Sequence, residues 1–383
     1  MKGSLKHPFY DSRITYTMKD TLLPTVAVVC PDPPDADNPE RAVRRLLGYL
    51  DEGEALIEPG AETLLLVSLR QLHDIAYLQL VSETASIILE AGGRVAVGDS
   101  PWLTTGRVEE YWRTTGLTHL AAARGWRLVN FEKELRGEVT AQSRVYYLPQ
   151  AVLEADVLIN IAPALRHRRC GLAAGIFNLL GIIPGYKPGQ FPDGYGYRDV
   201  VSDVAVDLLS FVSPDLTLVD LNPGSNCTAA GFDCRRRVIG STDTVAADAV
   251  AASAVGLPAG EPAAVRLAAE AGLGIGWPDG IELVGDPVYP LRTDDLASFA
   301  VYPLERLPSV MARFVKPFSG CRLKVDSTRC DPCETCQVSC PTGALRCNCD
   351  TGVVYTESLC VTCYRCREVC PNGAIIVGQK WLT

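Results

Sequence analysis

Aromatic and histidine residues are scarce in this chain of 383 residues: aromatics make up 7% of it, and it has 4 histidines. Basic residues are outnumbered by acidic ones, 36 to 45, so the formal net charge is −9 and gives no general attraction to nucleic acid or anionic membranes. Long apolar runs are also missing. The longest mostly apolar stretch, residues 171–186, is too short to span a bilayer and contains Asn178, and residues 1–7 lead into no signal-peptide segment. We therefore expect a cytoplasmic protein that binds neither nucleic acid nor membranes.

Cysteine is abundant, with 15 residues. A disulfide-bonded secreted scaffold would be short and would begin with a signal peptide, so these cysteines are better explained as metal ligands or redox groups. Eight of them form two copies of one pattern, each ending in Cys-Pro. The first copy is Cys330, Cys333, Cys336 and Cys340, and the second is Cys360, Cys363, Cys366 and Cys370.

This repeated spacing is that of bacterial ferredoxins with two 4Fe–4S clusters. Three thiolates on a tight loop bind three irons of one cluster, and the fourth cysteine begins a short helix that leads to the other cluster. The spacing predicts cluster I at Cys330, Cys333, Cys336 and Cys370, and cluster II at Cys360, Cys363, Cys366 and Cys340. Zinc ribbons are the alternative, but they use paired cysteines separated by a longer knuckle.

Residues 319–379 resemble a bacterial ferredoxin along their whole length. The resemblance implies two short hairpins, two short helices and one-electron transfer at low potential. Acidic and basic residues nearly balance here, which favours a module docked on its own chain over a free shuttle steered by surface charge. Cys321, Cys347 and Cys349 have no assigned role, because both clusters already have four ligands.

The preceding residues alternate short apolar runs with amphipathic stretches. Strands are predicted over 25–29, 63–69, 95–97, 127–131, 157–161 and 216–219, and helices over 40–49, 74–90, 108–124 and 244–255. This alternation predicts an α/β fold: a mainly parallel sheet with helices on both faces, followed by a small α+β ferredoxin-like domain. Ligands of such sheets bind beyond the carboxyl ends of the strands.

Six short segments resemble, in order and spacing, the Domain of Unknown Function family 362, whose members often carry a C-terminal two-cluster ferredoxin. They are residues 98–101, 154–160, 177–181, 216–220, 242–248 and 271–274. The resemblance covers about residues 25–285 and implies no particular reaction. We divide the chain into an extension (1–24), the α/β domain (25–285), a linker (286–318) and the ferredoxin domain (319–383).

A cationic loop follows the strand predicted at 157–161. Its candidates are His167 as a general acid and Arg166, with the next two arginines, as a clamp for an anion or carbonyl group; the alternative is a solvated loop. Cys170 beside these cations is a candidate ligand or nucleophile, against the commoner buried structural cysteine. Asp99 and Asp220 end strands and are predicted to line the cleft.

Other polar groups have weaker signals. Asp243 and Asp248 match family positions, and Asp248 has the alternative of a capping role within its own helix. Cys227 and Cys234 fit a redox dithiol or two unrelated loop cysteines. Residues 272–276 contain three glycines but follow an Ala-rich helix, so they indicate a helix end and not an NAD site. The sequence carries no NAD signature and leaves a flavin open.

Three functions are compatible with these features. The favoured one is an iron–sulfur reductase that takes electrons from an external low-potential donor. It passes them to a small substrate with an anionic or carbonyl group, and a conjugated substrate is one version of this hypothesis. The alternatives are an electron-carrier subunit for a partner enzyme and an accessory protein for metal or cluster handling. The polar and charged residues in the loops after the strands favour the reductase, because a protein that only carries electrons does not need them.

Overall fold

The computed structural model describes most of the α/β part and much of the ferredoxin part. The described residues are 23–31, 40–50, 56–68, 74–100, 108–134, 136–141, 144–167, 170–184, 197–222, 236–258, 260–288, 321–338, 340, 344–348, 352–356, 366 and 370–379.

Eight strands form one central sheet. They are β1 (Thr25–Val29), β2 (Glu62–Leu66), β3 (Arg94–Asp99), β4 (Arg127–Asn130), β7 (Val157–Pro163), β10 (Leu216–Leu221), β11 (Arg237–Ser241) and β12 (Glu282–Gly285). Their order is β12-β1-β11-β10-β7-β2-β3-β4. Neighbours are parallel except at β11, which runs antiparallel to both β1 and β10. The predicted mainly parallel sheet is therefore confirmed.

Helices cover both faces of this sheet. One face carries α1 (Glu40–Tyr49), α2 (Ile75–Glu90), α3 (Val108–Thr114) and α4 (Leu117–Arg124). The other carries α5 (Gln150–Leu153), α6 (Gly175–Asn178), a 3-10 helix (Leu179–Ile182), α7 (Tyr197–Phe211), α8 (Thr244–Ala254) and α9 (Ala263–Glu270). Successive strand residues alternate between the faces: Val26 and Val28 pack with α8, whereas Ala27 and Val29 pack with α1.

Two small antiparallel pairs extend the α/β part. One is the hairpin of β5 (Arg136–Ala141) and β6 (Arg144–Pro149), and the other joins β8 (Leu165–His167) to β9 (Gly171–Ala173). The first hairpin is fixed to α7, because the Tyr146 hydroxyl donates to Asp207 at 2.6 Å and Arg144 pairs with the same carboxylate at 2.8 Å.

The predicted helix over 108–124 is two helices. The chain between α3 and α4 takes a left-handed conformation at Gly116 (φ 78°), which an α-helix cannot continue through. The prediction of one continuous helix was therefore wrong at this point, although both halves are helical. None of the helices described between residues 40 and 338 is long and apolar enough to cross a membrane.

The ferredoxin part is built from two similar halves. Its elements are β13 (Cys321–Val325), α10 (Thr335–Val338), β14 (Leu345–Asn348), β15 (Gly352–Tyr355) and β16 (Ile375–Gln379). The pairs are β14–β15 and β13–β16, both antiparallel. Among the strands that the structure describes in this part, β14 and β15 form a hairpin, whereas β13 and β16 are paired across the length of the module. The strand after the first motif, β14, pairs with the strand before the second motif, β15. The strand after the second motif, β16, pairs with the strand before the first motif, β13.

Candidate functional site

The strand order puts a topological switch point between β2 and β7, where we expect the ligand crevice. The connection from β2 through α2 leads to β3 on one side, whereas the chain after β7 passes through α6 and α7 to β10 on the other side. Two adjacent parallel strands whose connections leave in opposite directions mark the point where open α/β sheets bind ligands, beyond the carboxyl ends.

Two polar side chains, one from each face, meet at the base of this crevice. The Tyr77 hydroxyl, from α2, donates to the carbonyl oxygen of Ile161 at 2.6 Å and accepts the Ser68 N–H at 2.7 Å. The Asn178 amide, from α6, donates to the Asn160 side-chain oxygen at 2.8 Å and to the Ile161 carbonyl at 3.3 Å. These bonds use backbone groups that the ending strands leave unpaired.

The two predicted cleft carboxylates lie near Tyr77. Asp99 and Asp220 are 5% and 3% exposed; Asp99 is the last residue of β3, and Asp220 is the last but one of β10. Burial raises the pKa of Tyr77 well above its ordinary value, and the charges of Asp99 and Asp220 raise it further. Asp99 and Asp220 therefore both act electrostatically on Tyr77, which stays protonated.

Arg236 completes the group. Its Nε donates to the Asp220 carboxylate at 2.7 Å, and its terminal nitrogen donates to the Ala76 carbonyl at 2.8 Å. Burial raises the pKa of Asp220, whereas Arg236 lowers it. Burial opposes the charged form of Arg236, but Asp220, Glu83 and Asp74 raise its pKa above the ordinary value. A guanidinium held from two sides in acidic surroundings is a candidate anchor for a substrate carboxylate or carbonyl group.

Sequence reasoning did not identify Tyr77, Asn178 or Arg236 as site residues. The signal for Asn178 was its place in a family segment, and the signal for Arg236 was its place in a run of three arginines. Tyr77 had only its position three residues after Asp74, which caps the start of α2 through bonds to two backbone N–H groups.

Gly181, in the 3-10 helix, packs closely against Asp99. The Ser100 N–H donates to the Gly181 carbonyl at 2.9 Å, and a Cβ atom on Gly181 would overlap the Asp99 Oδ1 atom.

We expect Gly181→Ala to lower the free energy of unfolding by about 1–3 kcal/mol, because overpacking forces Asp99 to move. Gly48→Ala is the matched control: its Cβ meets nothing within 4 Å, and alanine in a helix is favoured over glycine. Equal stability changes in denaturant unfolding of the two variants would contradict this packing.

The cationic loop is only partly described. Arg166 and His167 belong to β8, whose backbone pairs with β9, and the Ala164 N–H donates to the Asp220 carbonyl at 2.8 Å. This bond holds the start of the segment at the end of β10. The side chains of Arg166 and His167, and residues 168 and 169, lie outside the described residues, so their roles stay predictions.

Cys170 is completely buried. Its side chain is 0% exposed in a core with Ile176 and Leu180, and the Ser202 hydroxyl contacts its sulfur at 3.8 Å. A completely buried side chain fits the structural alternative better than an accessible ligand or nucleophile. Cys227 and Cys234 lie outside the described residues.

Asp243 and Asp248 both satisfy backbone N–H groups. Asp243 caps α8 and accepts the Ile275 N–H at 2.9 Å, after α9 has ended and Gly272 has turned the chain at φ 71°. The predicted helix end at residues 272–276 is therefore confirmed. Asp248 accepts the N–H groups of Gly175 and Ile176 at 2.7 and 2.9 Å. It thus satisfies the first two N–H groups of α6, whereas the alternative prediction placed its capping role within its own helix.

Asp248 makes stability depend on pH. Burial raises its pKa from 3.8 to about 7, although the bonds from Ile176 and Gly175 lower it. The folded state favours the protonated form of Asp248. Its contribution to the free energy of unfolding is therefore complete below about pH 4 and is lost as the pH rises to about 7. Relative to Asp248→Asn, wild-type stability should fall by up to about 1.4 kcal/mol per pH unit in this window.

Anaerobic unfolding curves at several pH values would measure this difference. Asp279→Asn, at an exposed carboxylate, should leave the wild-type profile unchanged. A wild-type profile that runs parallel to that of Asp248→Asn would contradict the assignment.

The structure groups the described motif cysteines. Burial raises the pKa of the Cys330 thiol, and Cys347, Cys370 and Cys333 raise it further. The Cys336 thiol likewise has its pKa raised to about 12, first by burial and then by Cys347, Cys330 and Cys333. The four residues predicted for cluster I therefore lie around one place, with Cys347 beside them.

The second predicted ligand set is partly described. Cys340 and Cys366 pack in the same small core as Cys336, whereas Cys360 and Cys363 lie outside the described residues. Within the described part, no three His, Cys, Asp or Glu side chains converge on a single metal ion. A 4Fe–4S site does not require such convergence, because each cysteine binds a different iron.

Both halves of the module stabilise a thiolate in the same way. The Ala344 N–H donates to the Cys340 sulfur and the Ala374 N–H to the Cys370 sulfur, each at 3.2 Å. A hydrogen bond to the charged form favours it, and soft thiolate ligands suit iron–sulfur clusters. The donor set therefore fits 4Fe–4S clusters.

Comparisons with known proteins agree with this division. Residues 76–253 match the family model described as Domain of unknown function (DUF362), and residues 353–376 match the 4Fe-4S binding domain. The first match lies within the resemblance inferred over about 25–285, and the second includes Cys360, Cys363 and Cys366. The chain thus carries a DUF362 domain followed by a 4Fe–4S binding domain. The second domain supports a role in iron–sulfur electron transfer.

Individual relatives are distant. A thylakoid-associated protein of Synechocystis sp. is 24% identical over 149 residues, which cover 37% of this chain and 44% of the relative. The lactate racemase apoprotein of Thermoanaerobacterium thermosaccharolyticum aligns with a TM-score of 0.34 and 13% identity, over 52% of this chain and 50% of that one. The chain therefore spans half or less of the length of these relatives.

Proposed function

We propose that this chain is an iron–sulfur oxidoreductase with two 4Fe–4S clusters and a substrate crevice beyond β2 and β7. The substrate is small and carries an anionic or carbonyl group, and the electrons come from an external low-potential donor. When bound, the clusters supply one-electron transfer at low potential. The observation that carries the proposal is the group of Tyr77, Asp99, Asp220 and Arg236 at the carboxyl ends of the strands.

Different residues of the crevice are proposed to bind the substrate and to donate protons. Asp220 and the Ala76 carbonyl orient Arg236, whose positive charge would bind the substrate and stabilise negative charge that develops during reduction. Asp99 and His167, the last residue of β8, are the proposed proton donors. Tyr77 and Asn178 both donate to the Ile161 carbonyl at the base of the proposed crevice.

A link between the two domains supports electron transfer within the chain. Burial and then Glu138 raise the pKa of Tyr147, on β6, and the Cys340 thiol of the ferredoxin part raises it further. The hairpin is fixed to α7 through Asp207, and α7 follows the 3-10 helix that supports Asp99. A module docked on its own chain would also fit its balanced charge.

The reoxidation of reduced protein tests the proposal. The chain, reduced anaerobically with dithionite, would be mixed with a panel of α,β-unsaturated and aromatic carboxylic acids while cluster absorbance is followed. We expect saturable reoxidation by one of these classes. Arg236→Lys should slow it without changing the cluster EPR spectrum, because lysine keeps the charge but loses the two-sided fork.

The matched control is Arg266→Lys, at an exposed pair with Glu270 on α9, which should react like wild type. Equal rates for the two variants would contradict a role for Arg236. A chain that is reoxidised by none of the acids but reduces a partner protein would support the carrier alternative instead.

A further inference from the structure

Cys347 is a thiol outside the two motifs that lies against one of the motif cysteines. Its sulfur is 4.0 Å from the sulfur of Cys336. Its backbone N–H donates to the side-chain oxygen of Gln337 at 2.5 Å. Because Gln337 follows Cys336 on α10, these two contacts fix β14 to the helix that carries Cys336.

The strand directs Cys347 towards the small core of the module. Residues i and i+2 of a strand share a face, so Cys347 points to the same side as Leu345, which is 1% exposed. Leu345 packs with Cys336, and Cys347 packs against the same group. The thiol is therefore held inside the module by the strand and is not a mobile surface cysteine.

The separation of the two sulfurs has a chemical meaning. Two sulfurs bound to one tetrahedral metal ion, with bonds of about 2.3 Å, lie about 3.8 Å apart. The Cys336 and Cys347 sulfurs are 4.0 Å apart, close to this value. Each iron of a 4Fe–4S cluster takes one cysteine, so these two thiols can reach the same iron and compete for it.

We propose that Cys347 is a reserve ligand for the cluster I iron that Cys336 binds. The inference rests on the proposed presence of two clusters. In the exchange, the iron–sulfur bond to Cys336 breaks and one to Cys347 forms, while the Cys347 thiol proton passes to the Cys336 thiolate. No electron is gained or lost. The cluster thus stays bound by four cysteines when Cys336 is lost or blocked.

Substitution of Cys336 tests this directly. Full-length wild type, Cys336→Ala, Cys336→Ala/Cys347→Ala and Cys336→Ala/Cys349→Ala would be reconstituted anaerobically and analysed for iron and sulfide. Wild type should hold about eight irons, and Cys336→Ala should keep about eight. The double variant without Cys347 should fall to about four or fewer, whereas the matched double variant without Cys349 should keep about eight. The reduced cluster I EPR signal of Cys336→Ala should differ from that of wild type, because a different cysteine binds the iron.

The outcomes separate this inference from the proposed function. Retention of only about four irons by Cys336→Ala, or of about eight by Cys336→Ala/Cys347→Ala, would overturn the reserve-ligand role and leave the two-cluster proposal intact. About four irons in the wild type would overturn both. Cys347→Ala alone should keep about eight irons, which shows that the loss in the double variant does not arise from misfolding; iron loss by this single variant would contradict a purely reserve role.

Discussion

Cys366→Ala should hold about four irons per chain, where the wild type should hold about eight. Cys366 is 5% exposed, packs with Cys336 and Ile375, and lies within the part that matches the 4Fe-4S binding domain. Alanine in its place removes one of the four thiolates that we assign to cluster II. Iron and acid-labile sulfide, measured after anaerobic purification, give the result directly, and reoxidation by the acid panel should be abolished.

Cys30→Ala is the matched control. Cys30 is also a buried cysteine, 3% exposed, but it follows β1 in the α/β domain and lies outside both motifs. Its replacement should leave about eight irons. Wild-type iron content in Cys366→Ala, or a loss of iron in Cys30→Ala, would show that the assignment of ligands is wrong.

Arg236→Ala should lower the free energy of unfolding by about 3–5 kcal/mol. The Asp220 side chain beside it is 2% exposed, and removal of Arg236 leaves this buried carboxylate without its cation. Without Arg236 the pKa of Asp220 rises further above that of the unfolded chain. The destabilisation should therefore be largest at neutral pH and should shrink as the pH falls, because the carboxyl group then becomes neutral.

Anaerobic urea unfolding near pH 5.5 and pH 8 would measure both effects. The control is Arg266→Ala, whose exposed pair with Glu270 in one helix is worth about 0.3–0.5 kcal/mol. A loss below about 1 kcal/mol for Arg236→Ala, or an equal loss at both pH values, would contradict a buried ion pair at this position.

Local patterns in the sequence predicted much of the fold. The strand at Thr25–Val29 and the helix ending at Tyr49 match their predictions, because short apolar runs and amphipathic periodicity depend on nearby residues alone. The antiparallel direction of β11 could not be predicted, since a buried strand has the same apolar pattern in either direction. The rule for parallel sheets predicted a ligand site beyond the carboxyl ends of the strands, whereas the switch point between β2 and β7 required the strand order.

The partners within the site depend on contacts between distant residues, which leave no local pattern. Arg236 and Ala76 are 160 residues apart, and Asp248 and Gly175 are 73 apart. The cysteine motif was predictable because the spacing of the cysteines along the chain determines which irons of a cluster they can bind. The approach of Cys347 to Cys336 was not, because it depends on how β14 packs against α10.

The number of reducible clusters tests the central claim most directly. EPR spectra of the dithionite-reduced wild-type chain, with spins integrated against iron content, would count them. Two 4Fe–4S clusters predict about two spins and about eight irons per chain, with signals broadened by coupling between neighbouring clusters. One spin with about four irons, or zinc in place of iron, would contradict the claim.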